Sequence, residues 1–208
     1  PALDNDDYRR GKPTCHKVFG EAMAILAGDA LLTHSYYILS NMQKVSDLIK
    51  VKIIKEISNA AGFAGMVGGQ VVDIESEGKS LPDKDTLNYI HSHKTGALIT
   101  ASVRCGALLA KASKDKLELL TVYGKSLGLA FQIVDDLLDE VGDEKKMGKR
   151  VQKDASLKKL TYPTLYGLQE SKHKVEELYK EAINAITPFG EKKSMLELLA
   201  KIIVKRDY

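Results

Sequence analysis

One stretch constrains this chain more than any other: Gln132-Ile133-Val134-Asp135-Asp136-Leu137-Leu138-Asp139. Wound as a helix, it sets Gln132, Asp135, Asp136 and Asp139 at i, i+3, i+4 and i+7, a single stripe on one side. Ala130, Ile133, Val134, Leu137 and Leu138 fall on the other side, so the helix is amphipathic and its apolar face must pack. The stripe itself has two readings. Like charges at i, i+4 cost only about 0.2–0.5 kcal/mol on an exposed helix, which allows a solvated face. Three carboxylates with no Lys or Arg between them, entered through the apolar run Gly124–Phe131, are also the hard oxygen donors that divalent cations take.

Helical periodicity continues over roughly residues 16–40, 46–78, 84–112, 115–141, 162–186 and 191–205. Ser40-Asn41, Gly78 to Pro82, Ser113-Lys114-Asp115 and Pro188 with Gly190 supply the breaks, and a further interruption is expected near Ala60–Gly62. Residues 1–15, with Asn5, Gly11 and Pro13, read as a loop, and no strand alternation is evident. The expected class is all-α: a large bundle of long, mostly antiparallel helices, with any site built between facing helices. At 208 residues and 44% hydrophobic content, one domain over 1–208 is expected. Because the chain opens at Pro1 without Met, that domain is expected to lack N-terminal residues.

Composition excludes several functions. A net charge of +3, no Trp and no basic stripe interleaved with aromatics argue against nucleic acid as a partner. No uninterrupted apolar run approaches the roughly 18 residues of a membrane span, so none is expected. Cys15 and Cys105 lie far apart without CxxC spacing, which signals neither a disulfide framework nor zinc and suits a reducing, cytoplasmic setting.

Four further groups carry candidate chemistry. Gly62, Gly65, Gly68 and Gly69 recur at helical spacing ahead of Gln70 and Asp73. Each costs up to about 1 kcal/mol relative to Ala in a helix interior, which is tolerated where another backbone or a ligand comes close. Asp4, Asp6 and Asp7 precede Arg9-Arg10-Gly11-Lys12; they read either as an ordinary salt-bridged loop or as metal ligands beside guanidinium forks for phosphate. His93-Lys94-Thr95-Gly96 offers a cationic point charge next to a hydroxyl. His91 and His93 lack helical ligand spacing and are not read as a metal site. Lastly, the polar connection 142–161 is rich in lysine, including Lys149, Lys153, Lys158 and Lys159, and can serve as a solvated surface or fold over an anion.

Taken in order, these groups are specific: an Asp-rich loop with Arg-Arg, a glycine helix ending in Gly-Gln, Lys-Thr, Phe-Gln-Ile-Val-Asp-Asp-Leu-Leu-Asp, Gly-Lys and Lys-x-Thr-Tyr-Pro. The chain resembles, over essentially its whole length, the trans-type isoprenyl diphosphate synthases, the farnesyl and geranylgeranyl diphosphate synthase family. The resemblance implies that Asp135, Asp136 and Asp139 form the second aspartate-rich metal motif and that Asp4 is the last member of the first. It implies that Arg9 grips the allylic diphosphate and Arg10 isopentenyl diphosphate. Lys94 and Thr95 match the lysine–threonine pair at the reacting centre, with Gln132 and Asp135 beside them. Lys149 and Lys159 match the loop lysines that close over the leaving group. The implied cofactor is Mg²⁺, several ions bridging the diphosphate, with Mn²⁺ as a substitute. The implied substrates are isopentenyl diphosphate and dimethylallyl or geranyl diphosphate, and the implied assembly is a homodimer. Farnesyl diphosphate is the favoured product, with geranylgeranyl diphosphate as the alternative. A non-catalytic regulatory subunit of the same fold is the alternative of another class. A di-metal oxidoreductase bundle would need Glu-x-x-His pairs, and there are none.

Overall fold

The computed structural model describes residues 1–3, 5–77, 84–141 and 160–206. Its longest described element is the 28-residue helix Lys114–Val141, called α7, which carries the acidic stripe. Before it come α1 (Cys15–Phe19), α2 (Glu21–Ser40), α3 (Asp47–Ala61), α4 (Met66–Ser76), α5 (Lys84–Ile90), a six-residue π-helix (His91–Gly96) and α6 (Ala97–Leu109). After it come α8 (Tyr162–Tyr166), α9 (Leu168–Ile186), a 3₁₀ segment (Thr187–Lys193) and α10 (Ser194–Val204). The all-α expectation is met, and the neighbours of α7 follow from its apolar side. It packs against α9, α6 and the π-helix, while α4 meets the π-helix from the other side.

The core lies along α7 in two clusters. Toward its C-terminal half, Ala130, Ile133, Val134 and Leu137 meet Leu87, Tyr162, Val175 and Leu178. Toward its N-terminal half, Leu120, Tyr123 and Leu127 meet Ala107, Ala182, Ala185, Ile186 and Ala200. Tyr123 is fully buried, so its hydroxyl needs a partner, and it donates to the Leu196 carbonyl at 2.8 Å. Burial pushes that phenol up to about 12.

Four features depart from the periodicity. Cys15 to Ser40 is split at Gly20 and Tyr162 to Ile186 at Gly167, both at positive φ (86° and 82°), where glycine has no Cβ penalty. Within 84–109 the middle turn is a π-helix. The N-terminal segment, read as loop, holds a two-residue antiparallel ladder, Tyr8–Arg9 (β1) with Lys12–Pro13 (β2). Its turn places Arg10 and Gly11 at φ 52° and 71°, as a tight primed turn requires. Such short strands leave no alternation to read. Finally, among the described residues two helices reach the length and averaged hydropathy of a membrane span, α2 and Lys114–Glu140 of α7. The reading of uninterrupted runs missed them because averaging tolerates scattered polar residues such as Asp29 and His34. Half of the α7 window is buried in the core, whereas none of the α2 window is.

A bidentate ion pair joins α3 to α6: Arg104 Nη2 and Nε reach Glu56 Oε1 and Oε2 at 2.7 and 2.8 Å, and Nη1 donates to Thr121 Oγ1 of α7 at 2.6 Å. The Arg104 hydrogen bonds, outweighing burial, hold the Glu56 carboxyl below its ordinary value. A depressed folded value contributes stability that is present above the unfolded value and is lost as pH falls through the folded one. Glu56→Gln is therefore expected to lower the urea midpoint at neutral pH. The gap from the parent protein should close as pH falls below the ordinary carboxylate range. A gap that stays constant down to acid pH would contradict the pairing.

Candidate active site

The site is assembled where the π-helix lies between α4 and α7. A π-turn is wider than an α-turn, and it brings His91 and Thr95 round to the same helix, α7. Thr95 Oγ1 donates to Gln132 Oε1 at 2.8 Å, and Gln132 Nε2 donates to Asp136 Oδ1 at 3.1 Å. The other Asp136 oxygen, Oδ2, accepts from the Tyr162 backbone N–H at 2.8 Å and lies 3.3 Å from His91 Nε2. Tyr162 is the first residue of α8, whose N-cap Thr161 forms a capping box with Thr164. A continuous polar ladder thus runs from the π-helix across α7 to the start of α8. His91 is buried, and its Nδ1 has no protein partner.

The close approach that permits this comes from glycine. A Cβ on Gly69 of α4 would lie 2.2 Å from the Lys94 backbone nitrogen and 2.7 Å from its Cα. Of the two readings of the glycine run, Gly69 therefore takes the backbone contact. On the opposite side, a Cβ on Gly128 of α7 would stand 2.8 Å from Gly96 Cα. One turn beyond Gly69, Asp73 Oδ2 meets Lys94 Nζ at 2.6 Å.

The three stripe carboxylates differ in environment. Asp136 and Asp139 are buried, at 6% and 7% exposure. Asp135, with 37% of its side chain exposed, lies 3.3 Å from Arg206 Nη2, a base from 71 residues away in sequence. Arg206 also donates to the Phe131 carbonyl at 2.8 Å and lies 3.9 Å over the Phe131 ring. Burial pulls its guanidinium below the ordinary value, opposed by Asp135.

The structure joins Thr95, Gln132 and Asp136 in one hydrogen-bonded ladder at a helical junction, with Lys94 next to Thr95 on the π-helix and Asp135 and Asp139 on the same helix as Gln132 and Asp136. Arg9 and Arg10 sit exposed on the β1–β2 hairpin, and among the described residues no hydrogen bond or ion pair joins them to that junction. Beside them Asp7 pairs with Lys17 at 2.8 Å. Asp4, Lys149 and Lys159 lie outside the described residues. Sequence reading missed the roles of Asp73, His91, Tyr162 and Arg206. Asp73 left a trace as an acid inside an apolar run, His91 as a histidine declined as a metal ligand and Tyr162 as part of Lys-x-Thr-Tyr-Pro, while Arg206 left none.

Among the described residues no three His, Cys, Asp or Glu side chains converge as a ready-made metal cage. Mg²⁺ does not require one: it takes one or two carboxylates and completes its shell with water and substrate phosphate. Asp135, Asp136 and Asp139 carry such oxygens, and each would have to exchange a present partner for the ion. Adjacent to the junction, a cavity of about 520 Å³ lies between α3, the π-helix, α6 and α7, with Ala60, Ala97, Thr100 and Leu129 in its wall.

A polyprenyl synthetase family model matches residues 2–199. The dimethylallyltranstransferase of Fischerella ambigua is 48% identical over 209 residues, covering 100% of this chain and 60% of that protein. The farnesyl diphosphate synthase of Escherichia coli is 49% identical over 213 residues, covering 100% of this chain and 71% of the relative. The solved geranyltransferase of Helicobacter pylori, complexed with magnesium and isoprenyl diphosphate, superposes with a TM-score of 0.84 at 32% identity, over 98% of this chain and 66% of that one. The chain therefore spans between 60% and 71% of the length of these three relatives.

Asp135 and Asp136 are neighbours in sequence, yet their surroundings predict different costs. Asp136→Ala strands three donors, two of them on buried residues, and is expected to lower stability by about 2–4 kcal/mol. Asp135→Ala removes a pair whose carboxylate is partly exposed and whose guanidinium is largely buried, and should cost less, about 1–2 kcal/mol. Urea unfolding followed by helical circular dichroism measures both, and equal losses would contradict the assigned network.

Proposed function

The chain belongs to the polyprenyl synthetase family, and from that premise we propose that the whole protein is a short-chain isoprenyl diphosphate synthase forming farnesyl diphosphate. It condenses an allylic diphosphate, dimethylallyl or geranyl, with isopentenyl diphosphate. The observation that carries the reading is the ladder Thr95–Gln132–Asp136, which ties the residue after Lys94 to the acidic stripe of α7.

The chemistry asks for three things. The allylic C–O bond breaks to leave a carbocation and diphosphate; the isopentenyl double bond attacks the cation; a proton then leaves, with the released diphosphate as acceptor. Lys94 supplies fixed positive charge where the leaving group gains negative charge. At 4 Å and an effective dielectric near 20, one such contact is worth roughly 4 kcal/mol before desolvation. Thr95 donates its hydroxyl hydrogen to Gln132, so its oxygen turns lone pairs toward an electron-poor carbon. Arg9, Arg10, Lys149 and Lys159 would add donors for the two diphosphates. Asp135 and Asp139, with Asp4, would hold Mg²⁺, or Mn²⁺ in its place. When bound, that ion supplies Lewis-acid neutralisation of the leaving group. No side chain need act as a strong base.

Two further parts belong to the proposal. One is a cytoplasmic location, for which the free thiols Cys15 and Cys105 are the support. The other is a homodimer, favoured by the apolar surface of α2, where Ile25, Leu26, Leu31 and Tyr37 are all exposed.

Incubation with isopentenyl and dimethylallyl diphosphates and Mg²⁺, then hydrolysis and chromatography, is expected to yield farnesol. A twenty-carbon alcohol would assign the longer product, and no turnover would overturn the reading. Asp135→Ala should lower kcat by about 10²–10³-fold with helical content unchanged. Chelation should abolish turnover and added Mg²⁺ restore it.

A further inference from the structure

We propose that Asp73 is the positioning residue for Lys94, holding its ammonium at the angle from which it meets the diphosphate. The inference rests on the reading of Lys94 as a diphosphate ligand and adds a residue to it. Helix α4 grips Lys94 at both ends. The Gly69 backbone bears on the Lys94 main chain so closely that no side chain fits between them. One turn later, at i+4 on the same face, Asp73 Oδ2 takes the ammonium at 2.6 Å. The pair is asymmetric: the Asp73 side chain is 11% exposed and that of Lys94 is 32% exposed. The acid is the fixed partner and the base is the one that faces outward.

The chemistry of the two groups explains why such an anchor matters. A lysine is a point charge on a four-carbon stem, with three donors and many rotamers. One donor bound to Asp73 fixes the stem and leaves two for phosphate oxygens. The carboxylate also repels an incoming diphosphate. Removing its charge should therefore leave ground-state binding unchanged or tighter, while the ammonium loses the alignment that counts in the transition state. Asp73 touches no reacting atom in this scheme and acts only through Lys94.

A double-mutant cycle tests the proposal on the protein in steady-state and single-turnover assays with isopentenyl and dimethylallyl diphosphates. Asp73→Asn keeps the shape and removes the charge; it is expected to lower kcat about tenfold without raising KM for the allylic diphosphate. Lys94→Met is expected to lower kcat about a hundredfold. The doubly substituted protein should lie within about twofold of Lys94→Met alone, because Asp73 then has nothing left to position. A further tenfold loss in the double variant would assign Asp73 an independent or merely structural role and overturn the proposal. So would an Asp73→Asn protein with near-parental kcat. Should the Asn variant fail to fold, Asp73→Glu carries the same comparison in both backgrounds, since it keeps the charge and displaces it by one methylene. Parental turnover of the two substrates tests the underlying reading separately. If the parent is active and Lys94→Met equally so, the lysine assignment fails, and the Asp73 proposal fails with it.

Discussion

Backbone contact on both sides of one short π-helix underlies everything at this site. Gly69 presses on Lys94 from α4, and Gly128 presses on Gly96 from α7. Neither contact leaves room for a Cβ, so the three elements are locked at a separation that only glycine allows. Held there, His91 and Thr95 stand four residues apart on the π-helix and meet Asp136 and Gln132, four apart on α7. The pairs match in opposite chain order, as antiparallel neighbours must. The spacing of the polar ladder is therefore a consequence of the glycine contacts and does not need its own explanation.

The charges at the junction are already partnered within the protein. Lys94 is with Asp73, Asp135 with Arg206, and Asp136 with an amide side chain, a backbone N–H and an imidazole. Buried ions without partners are expensive, so a fold that concentrates them must satisfy them locally. In the function proposed above, a diphosphate and its metal would exchange partners with groups that the fold already holds in place. That favours preorganised chemistry, because little solvent has to be rearranged as charge moves.

What the sequence made legible follows from which signals are local. The stripe and α7 are periodic over many residues, and so were read correctly in place and in class. Lys94, Thr95 and Gln132 were recognisable from residue type and order, and the structure puts Thr95 and Gln132 in contact. The π-helix was not legible, since its wider turn breaks the 3.6-residue pattern only briefly. Arg206 approaches Asp135 from 71 residues away, and no spacing rule connects them. The stripe looked free of basic neighbours for that reason. Tyr162 contributes through its backbone N–H, which carries no side-chain identity to read. The helix breaks at Gly20 and Gly167 were missed because single glycines inside a periodic run are as consistent with an uninterrupted helix as with a break.

A motif written as three aspartates invites one role for all three, and the surroundings argue against that. Asp135 keeps a partly exposed carboxylate beside Arg206, which the Phe131 carbonyl and ring hold in place. Asp136 has both oxygens engaged, one by Gln132 and the other by the start of α8 and His91. Its position in the stripe is set by the helix period, but its partners join α7 to the π-helix and to the start of α8. Adjacent identical residues on a helix are about 100° apart, so they look into different surroundings and are free to divide the work. Asp135 keeps the more open position, and Asp136 fixes the frame that ties Gln132 and Thr95 together.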